Sequence, residues 1–78
     1  MSGEFTFTIN EKVGVLCKYP NGWSKELNVV SWNDEKPKFD IRDWNPEHTL
    51  MTRGVTLKDE EMMVVYGLLK ERYEGVAK

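Results

Sequence analysis

The stretch KPKFDIRDW, residues 36–44, decides the fold because its apolar and polar residues alternate as they do in a β-strand. One side of such a strand carries Phe39 and Ile41 and is apolar in its middle. The other side carries three cations, an aspartate and a tryptophan: Lys36, Lys38, Asp40, Arg42 and Trp44. Phe39 and Ile41 are explained as core residues, so the basic and aromatic side is the feature that calls for a function.

The segments before this strand predict two neighbours for it. In residues 5–19, FTFTINEKVGVLCKY, apolar and polar residues alternate, which indicates one long or bulged strand or two consecutive strands. YPNGW (19–23) predicts a turn, because Pro20 fixes φ and Gly22 accepts a positive φ. SKELNVVSW (24–32) predicts the next strand, with Leu27 and Val29 on one face and Asn28, Val30 and Trp32 on the other.

The segments after Trp32 predict a short hairpin, a loop, a fourth strand and a helix. NDE (33–35) has hairpin length, WNPEHTLMTR (44–53) is a loop begun by Asn45-Pro46, and GVTL (54–57) is a short strand. Residues 58–78 predict a helix whose first turn is acidic. Thr56 and Asp59 have the spacing of a capping box, although Thr56 can also belong to the strand.

The predicted helix has two apolar faces. One stripe at helical spacing contains Met62, Val65, Tyr66, Leu69, Tyr73 and Val76, and a second patch contains Val64 and Leu68 with Met63 close by. One face can cover the sheet of its own chain, whereas the other needs a partner. We therefore predict a homodimer whose interface is formed by Met62, Met63, Val65, Tyr66 and Leu69.

These elements predict a single α+β domain over residues 1–78, with about four antiparallel strands followed by one C-terminal helix. The helix is expected to cover the face that carries Leu27, Val29, Phe39 and Ile41. The face with Trp32, Lys36, Lys38, Arg42 and Trp44 is expected to stay open, either to solvent or as a binding surface. On that face Asp40 is expected to pair with Arg42 or with a lysine across the sheet.

Composition and motifs exclude most other classes of function. The chain has 78 residues and a net charge of −2, so any basic surface must be local. His48 is the one histidine and is expected to be a polar surface residue; the sequence has no metal-ligand spacing and no phosphate-binding loop. Cys17 is expected to be a small buried hydrophobe. With no secretory signal or apolar membrane segment, we predict a cytoplasmic protein that is not an enzyme and needs no cofactor.

Two functions remain open for the basic and aromatic face. Bases of single-stranded nucleic acid stack on tryptophan while cations follow the phosphates, whereas duplex DNA keeps its bases stacked. The alternative is a protein-interaction surface, because outward lysines on strands are common in any protein. The pattern by itself does not separate the two.

Residues 23–62 resemble the transcriptional positive cofactor four family of single-stranded-DNA-binding coactivators, especially its short bacterial YdbC-like members. The resemblance lies in the strand that ends at Trp32, the basic strand with FDIRDW (39–44), and RGVTL (53–57) before an acidic helix start. It implies a ββββα protomer that dimerises, binds single-stranded DNA, is nucleoid-associated, and serves transcription regulation, replication or repair, with transcription machinery as a further partner. The sequence leaves open whether RNA is also a ligand.

Carried over by position, the resemblance implies that Trp32 stacks on bases and that Trp44 is the aromatic at the end of the third strand. Lys36, Lys38 and Arg42 correspond to cations that contact phosphates. Lys25 corresponds to a basic position of the second strand, although alternation places it beside Leu27, so it needs a bulge or a twist to reach the face. Lys18 and Asn28 complete the predicted nucleic-acid contacts.

Overall fold

A computed structural model describes residues 5–75 and shows the predicted α+β fold. The strands are β1 (Phe7–Lys18), β2 (Ser24–Trp32), β3 (Lys38–Trp44) and β4 (Val55–Leu57), and the helix α1 spans Asp59–Lys70. A π-helical turn at Glu71–Gly75 follows α1. Val76, which the sequence placed in the apolar stripe of the helix, and the two residues after it lie outside the described residues.

The four strands form one antiparallel sheet in the order β1-β2-β3-β4. The predicted turn at 19–23 is confirmed, with Gly22 at φ 95° and its amide donating to the Tyr19 carbonyl. Between β2 and β3, Asn33 and Asp34 have φ values of 51° and 65°, and the Glu35 amide donates to the Trp32 carbonyl. Positive φ at both central residues defines a type I′ turn, whose twist suits a hairpin.

β1 is one long strand with three bulges, located between Ile9 and Glu11, between Lys12 and Gly14, and between Val15 and Cys17. Each bulge adds one residue to β1 that has no partner on β2. As a result, every third residue of β1, rather than every second one, pairs with the same face of β2. The pairs are Ile9 with Val30, Lys12 with Asn28, Val15 with Glu26 and Lys18 with Ser24.

These bulges correct two predictions for β1. The alternation predicted through residues 5–19 is wrong for the second half of β1, because Val15 shares a face with Lys12 and Lys18. Cys17 is exposed rather than buried, since β1 is an edge strand and most of its second half has no layer above it.

The two faces of β2 and β3 differ in burial in a way that the sequence did not predict. We call the side with Glu26, Asn28, Val30, Trp32, Lys38, Asp40, Arg42 and Trp44 the tryptophan face, and the side with Lys25, Leu27, Val29, Phe39, Ile41 and Asp43 the opposite face. The residues Val30, Trp44, Asn28 and Asp40 are fully buried, and all four belong to the tryptophan face. The apolar residues of the opposite face are half-buried. The prediction of one open face and one core face is therefore wrong for the described chain.

The helix α1 contacts β3 and β4 but buries none of its residues within the described chain. Met62 and Val65 are half-buried, whereas Met63, Val64, Tyr66, Leu68 and Leu69 are exposed. The helix begins after Lys58, whose backbone amide donates to Glu61 Oε1 at 2.9 Å. Thr56 lies in β4, so the capping pair is Lys58 with Glu61 rather than Thr56 with Asp59. Within the described residues, neither helical segment is long and apolar enough to cross a membrane.

Candidate nucleic-acid interface

Four aromatic rings pack against one another over the tryptophan face, and we call them the aromatic cluster: Phe5, Phe7, Trp32 and Trp44. Phe5 stacks on Trp32 with centroids 5.6 Å apart and planes 27° apart. Phe7 lies 5.9 Å from Trp32 and 5.2 Å from Trp44, so it joins the two tryptophans. The three bulges produce this arrangement: a regular ladder from Lys18 and Ser24 would place Phe7 opposite Glu35, whereas it pairs with Trp32.

The rings of the aromatic cluster differ in their access to solvent. Phe5 is 60% exposed, Trp32 is half-buried and Trp44 is 0% exposed. The Nε1 atoms of both tryptophans are buried and have no hydrogen-bond partner among the described residues. A base can therefore reach Phe5 and part of Trp32 directly. Trp44 lies beneath them, because Phe7 and His48 pack against it.

Arg42 forms an ion pair with Asp40, which is one of the two pairings that the sequence predicted for Asp40. Its Nε donates to Asp40 Oδ1 at 2.6 Å and its Nη2 donates to Oδ2 at 2.7 Å, and Thr56 Oγ1 donates to the same carboxylate at 3.0 Å. The guanidinium also lies 4.5 Å from the ring centroid of Trp32. The side chain of Asp40 is fully buried and that of Arg42 is 13% exposed. Arg42 is thus neutralised by Asp40 and supports Trp32 from within.

The close approach of the chain at Gly54 helps to position Arg42. A Cβ atom at Gly54 would collide with the Ile41 carbonyl oxygen and with the Arg42 side chain. Only glycine lets the segment leading into β4 come this close to β3. The Arg42 Nη1 donates to the Thr52 carbonyl at 3.3 Å in the same region.

Lys36 and Lys38 lie where β3 begins and are available for an anion. Together with Pro37, Lys58, Asp59 and Glu60 they line a cleft of about 240 Å³ beside the start of α1, so three amines share it with two carboxylates. Among the described residues, neither lysine has a carboxylate within ion-pair distance. Lys36 is exposed and Lys38 is half-buried, so both amines can reach a phosphate outside the sheet.

Lys25 lies on the opposite face and is not brought together with the other predicted contacts. It is opposite Asp43 in the strand pairing, and its Nζ lies 3.4 Å from Asp43 Oδ1. The charge of Asp43, followed by that of Tyr19, raises the pKa of Lys25. β2 pairs with β3 without a bulge, so nothing rotates Lys25 toward Trp32.

Lys18 and Asn28 lie in a second concave region of the tryptophan face, which we call the lysine pocket. This cavity has a volume of about 370 Å³, and its lining includes Lys12, Lys18, Trp23, Glu26, Asn28 and His48. The bulges of β1 bring Lys12 opposite Asn28 and Lys18 opposite Ser24. The pocket therefore combines two lysines with a polar floor.

Glu26 is the centre of a hydrogen-bond network in the floor of the lysine pocket. Its carboxylate accepts from Ser24 Oγ at 2.6 Å and from Asn28 Nδ2 at 3.1 Å, and His48 Nε2 lies 3.0 Å from both of its oxygens. Burial by itself raises the pKa of Glu26, but the hydrogen bonds from Ser24, Asn28 and His48, with the charge of His48, outweigh burial and lower this pKa. Glu26 is thus held as a carboxylate.

His48 is not the simple surface residue that the sequence suggested. Its ring is half-buried between the Glu26 carboxylate and the ring of Trp44, whose centroid is 5.6 Å away. Asn45 holds the loop in place, because its side chain accepts from the amides of Thr49 and Leu50, both at 2.9 Å. The left-handed φ of 60° at His48 turns the chain so that the ring faces inward.

Three contributors to this interface were missed by the sequence: Phe5, Phe7 and Lys12. The spacing of Phe7, Ile9, Lys12, Val15 and Lys18 by two and then three residues is the signal that could have revealed them. That spacing is visible in the sequence, but only the pairing with β2 shows that it reflects bulges.

Comparisons with known proteins identify the family of this chain. Residues 19–65, more than half of the chain, match the family model described as Transcriptional Coactivator p15 (PC4). An uncharacterized protein of Treponema pallidum (strain Nichols) is 38% identical over 69 residues, which cover 88% of this chain and 81% of that protein. The matched region contains β2, β3, β4 and the first half of α1, which carry Trp32, Arg42 and Trp44. The chain belongs to the PC4 family of transcriptional coactivator p15.

Proposed function

We propose that this protein is a homodimeric, non-enzymatic protein that binds single-stranded DNA through its tryptophan face, largely independently of sequence. The observation that carries the proposal is the exposed stack of Phe5 on Trp32 beside the unpaired lysines at the start of β3. Transcription regulation, replication or repair would use such binding, and RNA is a second ligand of the same chemistry.

Stacking is the first source of affinity. A base that stacks on an aromatic ring gains about 1–3 kcal/mol, and every base has a π-face, so this contact does not depend on sequence. Phe5 and Trp32 present the accessible rings, whereas Trp44 supports them from below. In this proposal the contribution of Trp44 is to hold Phe7 and Trp32 in place, because a buried ring cannot stack on a base.

Charge is the second source of affinity. Lys36 and Lys38 can contact phosphates, as can Lys18 and Lys12 at the lysine pocket. Arg42 has its donors directed at Asp40 and Thr52, so its contribution is to orient Trp32 through the contact of guanidinium and ring. Lys25 is left out of the interface because it pairs with Asp43 on the opposite face.

The dimer is supported by the exposure of α1. Large apolar side chains such as Tyr66 and Leu69, which are 59% and 46% exposed, do not normally face water together on one short helix. Pairing of two helices would bury them, with an interface made of Met62, Met63, Val65, Tyr66 and Leu69. Two tryptophan faces in one dimer would then bind a longer strand.

The test is a titration of oligo(dT) and of a duplex at several salt concentrations, followed by tryptophan fluorescence. We expect quenching and clear preference for the single strand. Each contacting lysine that is lost should reduce the slope of log K against log salt by about 0.7, as counterion release from a single strand requires. Lys36→Met and Lys38→Met should each lower the slope, whereas Lys25→Met on the opposite face is the matched control and should leave it unchanged.

The experiment also separates the alternative function. Equal affinity for single strand and duplex, or no quenching, would contradict the proposal. A protein-interaction role, in keeping with a coactivator family, would be favoured if the double variant Lys36→Glu/Lys38→Glu lost DNA binding but kept its cellular function.

A further inference from the structure

The lysine pocket is a part of the tryptophan face that stacking on Phe5 and Trp32 does not use. Its volume of about 370 Å³ is of the size of small-ligand sites. Its floor is polar, because Glu26 is 5% exposed and Asn28 is 1% exposed. Buried polar groups under a concave opening indicate a ligand with a complementary polar edge.

The floor of the pocket contains one acceptor without a donor. Both oxygens of Glu26 are occupied by Ser24, Asn28 and His48. The Asn28 Nδ2 donates to Glu26, but Asn28 Oδ1 is buried and has no partner in the described chain. Buried polar atoms are normally paired in native proteins, so an unpaired Oδ1 is a place where a ligand donor is missing.

The rim of the pocket provides positive charge. Lys12 and Lys18 are exposed, and no carboxylate of the described residues lies within ion-pair distance of either. Their partners on β2, Asn28 and Ser24, are four residues apart, which corresponds to roughly 13 Å along a strand. Two lysines at this separation can hold successive parts of a phosphate backbone while a base enters between them.

We propose that the lysine pocket binds one nucleotide of the single strand, whose base donates an amino hydrogen to Asn28 Oδ1 while Lys12 and Lys18 hold the backbone. This inference rests on the proposed function and adds a base preference to it. The free acceptor of the floor is Asn28 Oδ1, and the N4 amino group of cytosine is a donor that can pair with it. Thymine carries a carbonyl oxygen at that position, which cannot donate a hydrogen bond to Oδ1. Cytosine is therefore favoured over thymine.

The direct test compares the affinities of the native protein for oligo(dC) and oligo(dT) of equal length. Since one neutral hydrogen bond separates the two ligands at the pocket, oligo(dC) should bind roughly two- to tenfold more tightly. An oligonucleotide of N4,N4-dimethylcytosine, which has lost both amino hydrogens, should bind no more tightly than oligo(dT). If the dimethylated strand bound as tightly as oligo(dC), the inference would be wrong. This comparison uses the native protein and needs no variant.

Protein variants locate the effect. Asn28→Leu should reduce the ratio of the two affinities to about one, because it removes the acceptor Oδ1, and the stacking that remains does not distinguish cytosine from thymine. Trp32→Ala is the matched control: it should weaken both strands equally and keep the ratio. Failure of the two hypotheses is distinguishable, because equal binding of oligo(dC) and oligo(dT) defeats only the pocket, whereas absence of binding to every single strand defeats the proposed function and the pocket with it.

Discussion

The tryptophan face and the helix α1 differ in whether their side chains are buried and paired within one protomer. On the tryptophan face, buried charges have partners within the chain: Asp40 pairs with Arg42, and Glu26 accepts from Ser24, Asn28 and His48. On α1, no residue is buried and most large apolar side chains face solvent. The side chains of the tryptophan face are therefore mostly buried and paired within one protomer, whereas the apolar side chains of α1 are not buried by it.

This difference indicates where each region obtains its stability. The sheet is held by its own hydrogen bonds, ion pairs and aromatic contacts, so changes there should act on the folding of the protomer. The helix gains little from its own sheet, so changes there should act on association. The following predictions test that division, and they are arranged from the largest effect to the smallest.

Breaking the buried ion pair should have the largest effect. Asp40→Ala leaves the guanidinium of Arg42 with little exposure and without its carboxylate. Removing one partner of a buried pair destabilises a protein by about 3–5 kcal/mol, because the remaining charge is uncompensated. Urea unfolding of the variant and the native protein measures this loss.

The matched control is the ion pair on the opposite face. Lys25 and Asp43 are 3.4 Å apart with side chains 44% and 25% exposed, so water screens their interaction. Lys25→Met should change the unfolding midpoint only slightly. If both variants lost similar stability, the tryptophan face would not be the region that holds the protomer together.

Disrupting the apolar face of α1 should change the association of protomers rather than the stability of the sheet. The native protein should sediment as two protomers at micromolar concentration. Leu69→Glu places a charge in the proposed helix pairing, where it would have to be buried without a partner, and the variant should sediment as one protomer.

The control for this prediction is Lys70→Gln, on the neighbouring position. It changes the net charge by the same amount as Leu69→Glu but lies at a site that is already polar. It should remain dimeric. A native protein that sediments as a protomer would show that the exposed helix is not an interface between copies of this chain.

The architecture could be predicted from sequence because it depends on local signals. The alternation in FDIRDW, the turn residues Pro20 and Gly22, and the acidic start of α1 each act over a few neighbours, and all three elements are present where the sequence placed them. The pairing of Asp40 with Arg42 was predictable for the same reason, since residues two apart share a face of a strand.

The burial of the two faces could not be predicted, because it depends on pairing between distant segments. The alternation in β3 defines two faces but does not indicate which of them becomes buried. Three bulges in β1 decide it by bringing Phe7 onto Trp32 and Trp44, and the loop held by Asn45 adds His48. Neither event leaves a local signature at Trp44, so a residue that appeared to be an exposed stacking ring is a buried one.

Acidification should weaken the tryptophan face through Glu26. The hydrogen bonds described above hold the pKa of Glu26 below its ordinary value of 4.5, so the folded state binds the proton less well than the unfolded state. The resulting stability is fully present above pH 4.5 and is lost as the pH falls from there through the lower pKa of the folded state. The thermal unfolding midpoint should therefore decrease as the pH is lowered from 6 to 3.

The comparison for this pH dependence is Glu26→Gln, which has no proton to gain there. Its midpoint is expected to be lower at neutral pH but to vary less steeply between pH 5 and pH 3 than that of the native protein. Equal slopes in both proteins would show that other carboxylates cause the acid sensitivity.

The smallest effect is expected at the turn between β2 and β3. Asp34 adopts a φ of 65°, which costs a residue with a Cβ atom some free energy that glycine does not pay. Asp34→Gly creates the Asn-Gly pair favoured in type I′ turns and should stabilise the protomer by about 0.5 kcal/mol.

Asn33 is kept because its Oδ1 accepts from the Thr6 amide at 2.9 Å and so ties the segment beside Phe5 to the turn. The control is Asp34→Asn, which removes the same charge without introducing glycine. Urea unfolding of both variants therefore separates the effect of backbone conformation from that of charge. If the asparagine variant gained as much stability as the glycine variant, the effect would be due to charge. Neither variant should alter the sedimentation mass, because the turn belongs to the region that is completed within one chain.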